Sequence, residues 1–142
     1  MVKIKKAKIE DLQQILKLET KIWDCQVTSI YDMANFVRFG YVFVAKDKTK
    51  IIGAIIAIKT NKDEVFVEDL IVDKKYRNKG IGTKLKQKLI SSVKLPMIGF
   101  VSHKFKASLR LQKRLGFKII KKVKDPYMRN KKEYVFMFRK GI

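Results

Sequence analysis

Apolar and polar positions follow two periods along the chain, one of two residues and one of about 3.6 residues. The shorter period predicts strands at residues 2–6, 41–46, 51–59, 64–72, 95–101, 117–124 and 133–139. The longer period predicts helices at residues 9–23, 81–93 and 105–115, and a further helix that begins after a Ser29 cap and ends at Gly40. Because strands and helices are interleaved, we predict an α/β (α+β) fold. Its central sheet would be mixed and mostly antiparallel, with about six to seven strands and about four flanking helices.

The helix predicted at residues 81–93 has one apolar stripe, with an aliphatic residue at every fourth position. The residues between, which include Lys84, Lys86 and Lys88, are assigned to its exposed faces. In the first predicted helix, Trp23 closes the apolar stripe, and we expect it to lie in the core.

Length and composition are those of one ordinary domain. A chain of 142 residues with 46% hydrophobic content can bury a core without metal or disulfide support, so we predict a single domain at 1–142 and no metal site. No apolar run approaches the length of about 18 residues that a membrane span requires. The lone Cys25 fits a reducing compartment, and the first residues lack a signal-peptide pattern, so we expect a cytoplasmic protein.

The chain is strongly basic. It has 34 Lys and Arg against 13 Asp and Glu, which gives a net charge of +21. Such a charge either attracts polyanions such as RNA or reflects lysine-rich surface usage that keeps the chain soluble. We favour the second interpretation and keep a nucleic-acid or ribosome-associated binding module as an alternative.

The strand predicted at residues 64–72 carries two adjacent carboxylates, Glu68 and Asp69. Both of its faces are otherwise apolar, which predicts a central strand. A carboxylate on such a face must be paired, exposed in a cleft, or shifted toward protonation. One interpretation is structural: Glu68 or Asp69 binds a basic neighbour or a backbone amide. The other is functional: one of the two, by preference Glu68, transfers a proton.

A basic turn with two glycines follows this strand and opens the next helix. Gly80 and Gly82 allow close approach of a ligand to the backbone, and the first N–H groups of the helix are available to a phosphate group. Arg77 and Lys79 add positive charge. The turn is either a phosphate-binding site or a plain connection between strand and helix.

The strand and turn together resemble the acetyl-coenzyme A binding motif of the Gcn5-related N-acetyltransferases (GNAT), an Arg/Gln-x-x-Gly-x-Gly/Ala loop. The matching residues are Val67–Val72 and Tyr76–Gly82, and the segment Ser108–Phe117 resembles a later motif of that family. The order of the remaining elements is similar over essentially the whole chain. The resemblance implies the acyl-CoA N-acyltransferase fold with a splayed central strand pair, and acetyl transfer from acetyl-CoA to a primary amine by direct attack in a ternary complex.

The resemblance also implies roles for individual residues. Glu68 would take the proton of the amine, the N–H of Leu70 would face the thioester carbonyl, and Val72, after Ile71, would pair with the pantetheine arm. The pyrophosphate would be held by Arg77, Asn78, Lys79, Gly80, Ile81, Gly82 and Thr83. The implied partners are acetyl-CoA and an amine acceptor, in a monomer or homodimer.

Two positions depart from the family pattern. Gln112 stands where many relatives have a tyrosine that protonates the leaving thiolate, and Phe105 stands where asparagine is common. The thiolate would then leave unaided, or Tyr127, Tyr134 or His103 would replace the tyrosine, or the protein would bind coenzyme A as a regulator without turnover.

Overall fold

The computed structural model describes all 142 residues, Met1–Ile142. It contains seven strands and four α-helices, which confirms the predicted fold class. The strands are β1 (Val2–Lys6), β2 (Tyr41–Asp47), β3 (Lys50–Lys59), β4 (Val65–Val72), β5 (Met97–Ser102), β6 (Lys118–Lys124) and β7 (Tyr134–Lys140). The helices are α1 (Leu12–Trp23), α2 (Ile30–Phe39), α3 (Ile81–Ser92) and α4 (Lys106–Arg114), and 3-10 turns lie at Ile9–Asp11 and Lys74–Tyr76.

The strands follow the order β1-β2-β3-β4-β5-β7-β6 in one mixed sheet. The β4–β5 ladder is parallel and joins three residues of each strand, Val65–Val67 with Met97–Gly99. The β1–β2, β2–β3, β5–β7 and β6–β7 ladders are antiparallel. The chain divides into two compact units, residues 1–59 with 68–94 (unit 1) and residues 60–67 with 95–142 (unit 2). No helix is long and apolar enough to cross a membrane.

Unit 1 packs helices on both faces of its strands. The core on one face is formed by side chains of α1, α2, β2, β3 and β4, among them Ile15, Met33 and Ile71. Helix α3 covers the other face, where a Cβ at Gly53 would lie 3.2 Å from Cδ1 of Leu85. This double coverage follows from the apolar character of β2 and β3, whose residues are buried on both sides.

Unit 2 is built on the antiparallel strands β5, β7 and β6. Its ring packing centres on Phe138, which meets Phe117 edge to face at a centroid distance of 5.1 Å. A Cβ at Gly99 would lie only 2.5 Å from Cζ of Phe138, so the glycine makes room for that ring. Strand β6 lies at the edge of the sheet, and six of its seven residues are exposed.

Two sequence-based assignments are wrong. Lys86 is fully buried rather than on an exposed face, because α3 is covered over a wider arc than its stripe of every fourth residue indicates. Trp23 is 38% exposed and does not lie in the core. Trp23 is the last residue of α1, and Asp24 after it has a left-handed conformation with φ of 58°. The indole ring of Trp23 reaches toward β4 instead.

Candidate functional site

The turn after β4 is held in place by Asp73. This side chain is 3% exposed and accepts hydrogen bonds from the backbone N–H of Lys75 (3.0 Å) and from Nζ of Lys21 on α1 (3.3 Å). The Lys75 bond lowers the pKa of Asp73, and the Lys21 bond and charge add to it against the effect of burial. An aspartate that follows a strand and caps the next turn fixes the direction of the chain before the basic residues begin.

Tyr76 anchors the far end of the same turn. Its hydroxyl donates a 2.6 Å hydrogen bond to Oδ2 of Asp47 at the end of β2. Nε of Arg77 donates to the carbonyl oxygen of Val72 at 3.1 Å, which folds the guanidinium back along the end of β4. Nζ of Lys79 lies 5.4 Å from the centre of the Tyr76 ring. The basic residues are therefore presented on a braced turn.

The first residues of α3 have the geometry that phosphate binding requires. Gly80 is the N-cap with φ of 77°, and a Cβ placed on it would meet no atom within 4 Å. Asn78 also has a left-handed conformation, with φ of 62°. The first hydrogen bond of the helix runs from N of Lys84 to O of Gly80, and the N–H groups of Gly80, Ile81 and Gly82 donate to no acceptor in the protein. These groups, with the positive end of the helix dipole, are available to an anion.

Asp69 is held between two side chains of α1. Its Oδ2 accepts a 2.9 Å hydrogen bond from Nε1 of Trp23, and its carboxyl group also hydrogen-bonds Glu19, which is 2% exposed. Burial and then the Glu19 carboxyl raise the pKa of Asp69 to about 8. The Asp69 carboxyl is therefore engaged by α1 rather than open to a ligand.

Glu68 is in a different environment. It forms no ion pair, and its side chain is exposed. Desolvation of the carboxyl group raises its pKa, and the charges of Glu19 and of Asp32 on α2 raise it further. A reachable carboxylate with a raised pKa is suited to accept a proton near neutral pH.

The other predicted residues fall into two sets. Leu70 and Val72 are half-buried, whereas the side chain of Ile71 belongs to the core, so only its main chain can face a ligand. In unit 2, Gln112 is 5% exposed and its Oε1 has no hydrogen-bond partner. His103 stacks on Tyr134 with centroids 4.0 Å apart, and its Nδ1 lies 2.9 Å from the carbonyl oxygen of Tyr134.

Sequence patterns alone did not identify four positioning residues. Asp73 carried a local signal, since an aspartate between a strand and a turn is a common cap. Glu19 stood as a carboxylate within the apolar stripe of α1, which could have indicated a buried partner. Trp23 and Asp47 carried no such signal, because their partners Asp69 and Tyr76 lie 46 and 29 residues away in the chain.

A surface depression of about 480 Å³ lies between β1, β2 and the C-terminal half of α3. It is lined by Ile4, Lys5, Lys6, Tyr41, Val42, Phe43, Lys88 and Ser92. None of these residues belongs to the strand or turn described above, and we assign no part of the site to it. No group of three or more His, Cys, Asp or Glu side chains is placed to hold a metal ion.

Comparison with solved structures shows the same fold in several acetyltransferases. The Arabidopsis thaliana NAA60 structure in complex with acetyl-CoA is 16% identical, with a TM-score of 0.88 over 100% of this chain and 99% of that one. The ribosomal-protein-S18-alanine N-acetyltransferase from Escherichia coli is 20% identical, with a TM-score of 0.83 over 100% and 94%. Arabidopsis thaliana Naa50, in complex with the bisubstrate analogue CoA-Ac-MVNAL, is 18% identical, with a TM-score of 0.85 over 99% of both chains.

A search of curated proteins finds no match. The family model described as the acetyltransferase (GNAT) family matches residues 9–117, which include α1, the carboxylates of β4, the braced turn and α3. That span is well over half of the chain. The protein therefore belongs to the acetyltransferase (GNAT) family.

Proposed function

We propose that the protein is an N-acetyltransferase that moves the acetyl group of acetyl-CoA to a primary amine by direct attack in a ternary complex. The observation that carries this proposal is the pair of features in unit 1. A reachable carboxylate of raised pKa stands on β4, and uncommitted N–H groups open α3 eight residues beyond its end. Membership of the acetyltransferase family supports the same reaction.

The residues of the turn fit the pyrophosphate of acetyl-CoA. The N–H groups of Gly80, Ile81 and Gly82 would each donate to a phosphate oxygen, and the absence of a Cβ at Gly80 leaves room for that approach. The side chains of Arg77 and Lys79 would add charge, and Asn78 and Thr83 complete the segment. Acetyl-CoA supplies an activated acyl group as a thioester.

Glu68 would accept the proton that the amine must lose. A free alkylamine is mostly protonated at neutral pH, since the pKa of a lysine-type amine is about 10.4. A carboxylate with a raised pKa takes up that proton, directly or through water, more readily than an ordinary glutamate. The N–H of Leu70 would donate to the thioester carbonyl oxygen as negative charge develops there, and the main chain of Ile71 and Val72 would align the donor.

The charges around Glu68 favour a cationic acceptor. The charges of Glu19 and Asp32 raise the pKa of Glu68, so three of the 13 acidic residues of a chain with a net charge of +21 lie near one another beside β4. Such a region attracts a protonated amine against the positive field of the rest of the protein. The peptide-like analogue bound by Naa50 and the protein substrate in the name of the Escherichia coli enzyme make peptide N-termini the first acceptors to test.

The experiment is a thiol-release assay with acetyl-CoA and a panel of small amines, diamines and peptides. We expect saturable release with at least one primary amine, abolished in Gly80→Asp and reduced in Glu68→Gln. Gly141→Asp is the matched control, because Gly141 is also surrounded by open space but lies at the C-terminus. Thiol release by no member of the panel, with acetyl-CoA bound tightly, would instead identify a coenzyme A-binding regulator.

Two further features complete the proposal. The exposed single Cys25 suits the reducing environment of the cytoplasm, where we place the protein.

Gln112 has no titratable proton, so we propose that the thiolate of coenzyme A leaves without a general acid at that position.

A further inference from the structure

Unit 2 contains a strongly basic hairpin. The hairpin surface, defined as residues 118–134, comprises β6, the loop that follows it and the first residue of β7. It contains seven Lys and Arg against two acidic residues, and all seven basic side chains are exposed. They are Lys118, Lys121, Lys122, Lys124, Arg129, Lys131 and Lys132.

The two carboxylates of this surface are already engaged. Asp125 accepts hydrogen bonds from the backbone N–H groups of Arg129 (3.0 Å) and Asn130 (2.9 Å), which fixes the loop. Glu133 pairs with Arg129 at 3.3 Å and with Lys104 at 3.4 Å. None of the four lysines of β6 forms an ion pair, so their charge is not compensated within the protein.

The lysines of β6 lie on both sides of an edge strand. Lys122 and Lys124 share a face with Tyr134, whereas Lys118 and Lys121 are on the opposite face. Lysines at alternate positions are about 6.6 Å apart along a strand, which is close to the separation of neighbouring phosphates in an extended nucleic-acid strand. Edge lysines also discourage pairing with other strands, but that role does not need charge on both faces and in the loop.

Aromatic rings accompany these charges. Tyr127 is 63% exposed, and the guanidinium of Arg129 lies 5.7 Å from its ring centre. Nζ of Lys122 lies 4.1 Å from the ring centre of Tyr134, which is stacked on His103. Basic side chains that follow a backbone, beside rings on which bases can stack, are typical of proteins that bind single strands.

We propose that the hairpin surface binds single-stranded RNA through its phosphate backbone, with Tyr127 as a stacking platform. A flexible strand can contact lysines on both faces of β6, whereas a flat membrane or a rigid duplex reaches one face at a time. Long single strands in a cell are mostly RNA. This binding function is separate from acetyl transfer and does not depend on it.

The test is fluorescence anisotropy with a labelled oligouridylate of about 16 nucleotides, a length that spans one binding site of this kind. The measured quantities are the dissociation constant and its dependence on salt concentration. We expect binding at 0.1 M salt, weakening steeply as salt is added because counterions are released from the phosphates. Replacing all four lysines of β6 by glutamine should weaken binding at least about tenfold and reduce the slope of log K against log salt by about 3, at about 0.7 per lost contact.

A matched variant distinguishes RNA binding at the hairpin surface from RNA attraction by the net positive charge of the whole protein. Lys3, Lys5 and Lys6 lie on β1, the other edge strand of the sheet, and Lys17 lies on α1, and all four are exposed. Replacing these four by glutamine removes the same charge from unit 1 and should weaken RNA binding by less than about threefold. Circular dichroism and acetyl-CoA binding of both variants establish that they are folded.

The substitution Tyr127→Ala tests the stacking contribution separately, because it leaves the charge of the protein unchanged. Loss of a stacking platform should weaken binding at least about fivefold without changing the salt slope. The proposal is overturned if the wild-type protein does not bind the oligouridylate, if the two lysine variants weaken binding equally, or if Tyr127→Ala binds as the wild type does. It is also overturned if vesicles of phosphatidylserine and phosphatidylcholine, or a DNA duplex, bind more tightly than the single strand.

Discussion

Nε1 of Trp23 donates a 2.9 Å hydrogen bond to Oδ2 of Asp69, and so joins the end of α1 to the middle of β4. The neighbouring residue on the strand is Glu68, whose pKa is raised in part by Glu19 of the same helix. The position and the proton affinity of the proposed base therefore depend on α1, although no motif of the sequence joins the two elements.

The first prediction concerns the pH dependence of acetyl transfer. Because the pKa of Glu68 is raised, the acid limb of kcat against pH should have its midpoint above the ordinary glutamate value of about 4.3. Glu68→Gln should remove that limb and lower kcat about 10²-fold to 10⁴-fold. Glu19→Gln removes a nearby negative charge and should move the limb to lower pH. The exposed Glu10 provides the control, since Glu10→Gln should leave the dependence of kcat on pH unchanged. If Glu68→Gln also leaves that dependence unchanged, Glu68 is not the base.

The second prediction concerns the stability of the fold between pH 5 and pH 8. The pKa of Asp69 is about 8 in the folded protein against an ordinary value of 3.8, so the unfolded chain releases this proton at lower pH than the folded one. The contribution of Asp69 to the free energy of unfolding should therefore fall as pH rises through this window. Asp69→Asn cannot titrate and should lose less stability over the same range, as measured by urea unfolding at both pH values. Asp24→Asn, at the exposed end of α1, should follow the wild type, and parallel curves for wild type and Asp69→Asn would contradict the prediction.

The third prediction concerns Gly80. Its φ of 77° is unfavourable for any residue with a Cβ, at a cost of about 1–2 kcal/mol, although the space around it is open. Gly80→Ala should therefore lower the free energy of unfolding by about that amount and weaken acetyl-CoA binding. Gly80→Asn should recover stability, because asparagine tolerates left-handed conformations, yet still bind acetyl-CoA poorly, because its side chain occupies the space of the phosphate. Calorimetric titration and thermal unfolding separate the two effects, and wild-type affinity in Gly80→Asn would argue against a phosphate at this position.

The fourth prediction concerns Lys86. Burial lowers the pKa of Lys86 to about 7. Below that pH the folded protein carries a buried ammonium group, which costs free energy because the charge is out of contact with water. The contribution of Lys86 to the free energy of unfolding should increase as pH rises from about 7 toward 10.5, where the unfolded chain also loses the proton. Lys86→Met keeps the length of the side chain without the charge and should stabilise the protein by about 1–4 kcal/mol at pH 6, and by less at pH 9. Lys84→Met, on the exposed face of α3, serves as the control, and an equal effect of both substitutions would contradict a role for burial.

The sequence was sufficient to predict the elements, among them the segment that carries the proposed site. The strand with Glu68 and Asp69, the turn with Gly80 and the helix after it are defined by local patterns, and all appear within one or two residues of their predicted ends. Local patterns work here because period, capping and glycine conformations depend on neighbours in the chain.

The environment of each side chain could not be predicted in the same way. Glu68 and Asp69 are adjacent and chemically alike, yet one is exposed and the other is held by Glu19 and Trp23. Lys86 is fully buried because of how the sheet and α3 pack. These differences arise from tertiary contacts, which a single sequence does not reveal. The single-domain prediction and the residue roles remain predictions.

Strand β6 displays Ile119 and Ile120 on the unpaired edge of a sheet, next to four uncompensated lysines. Mutual repulsion between those lysines keeps the edges of two copies from joining. A bound polyanion would neutralise the repulsion and leave two isoleucines facing outward on an open edge. The protein should therefore precipitate together with a polyanion when the two are mixed in stoichiometric amounts, and it should redissolve when salt is added. This behaviour should first be seen when the protein is purified from extracts rich in nucleic acid.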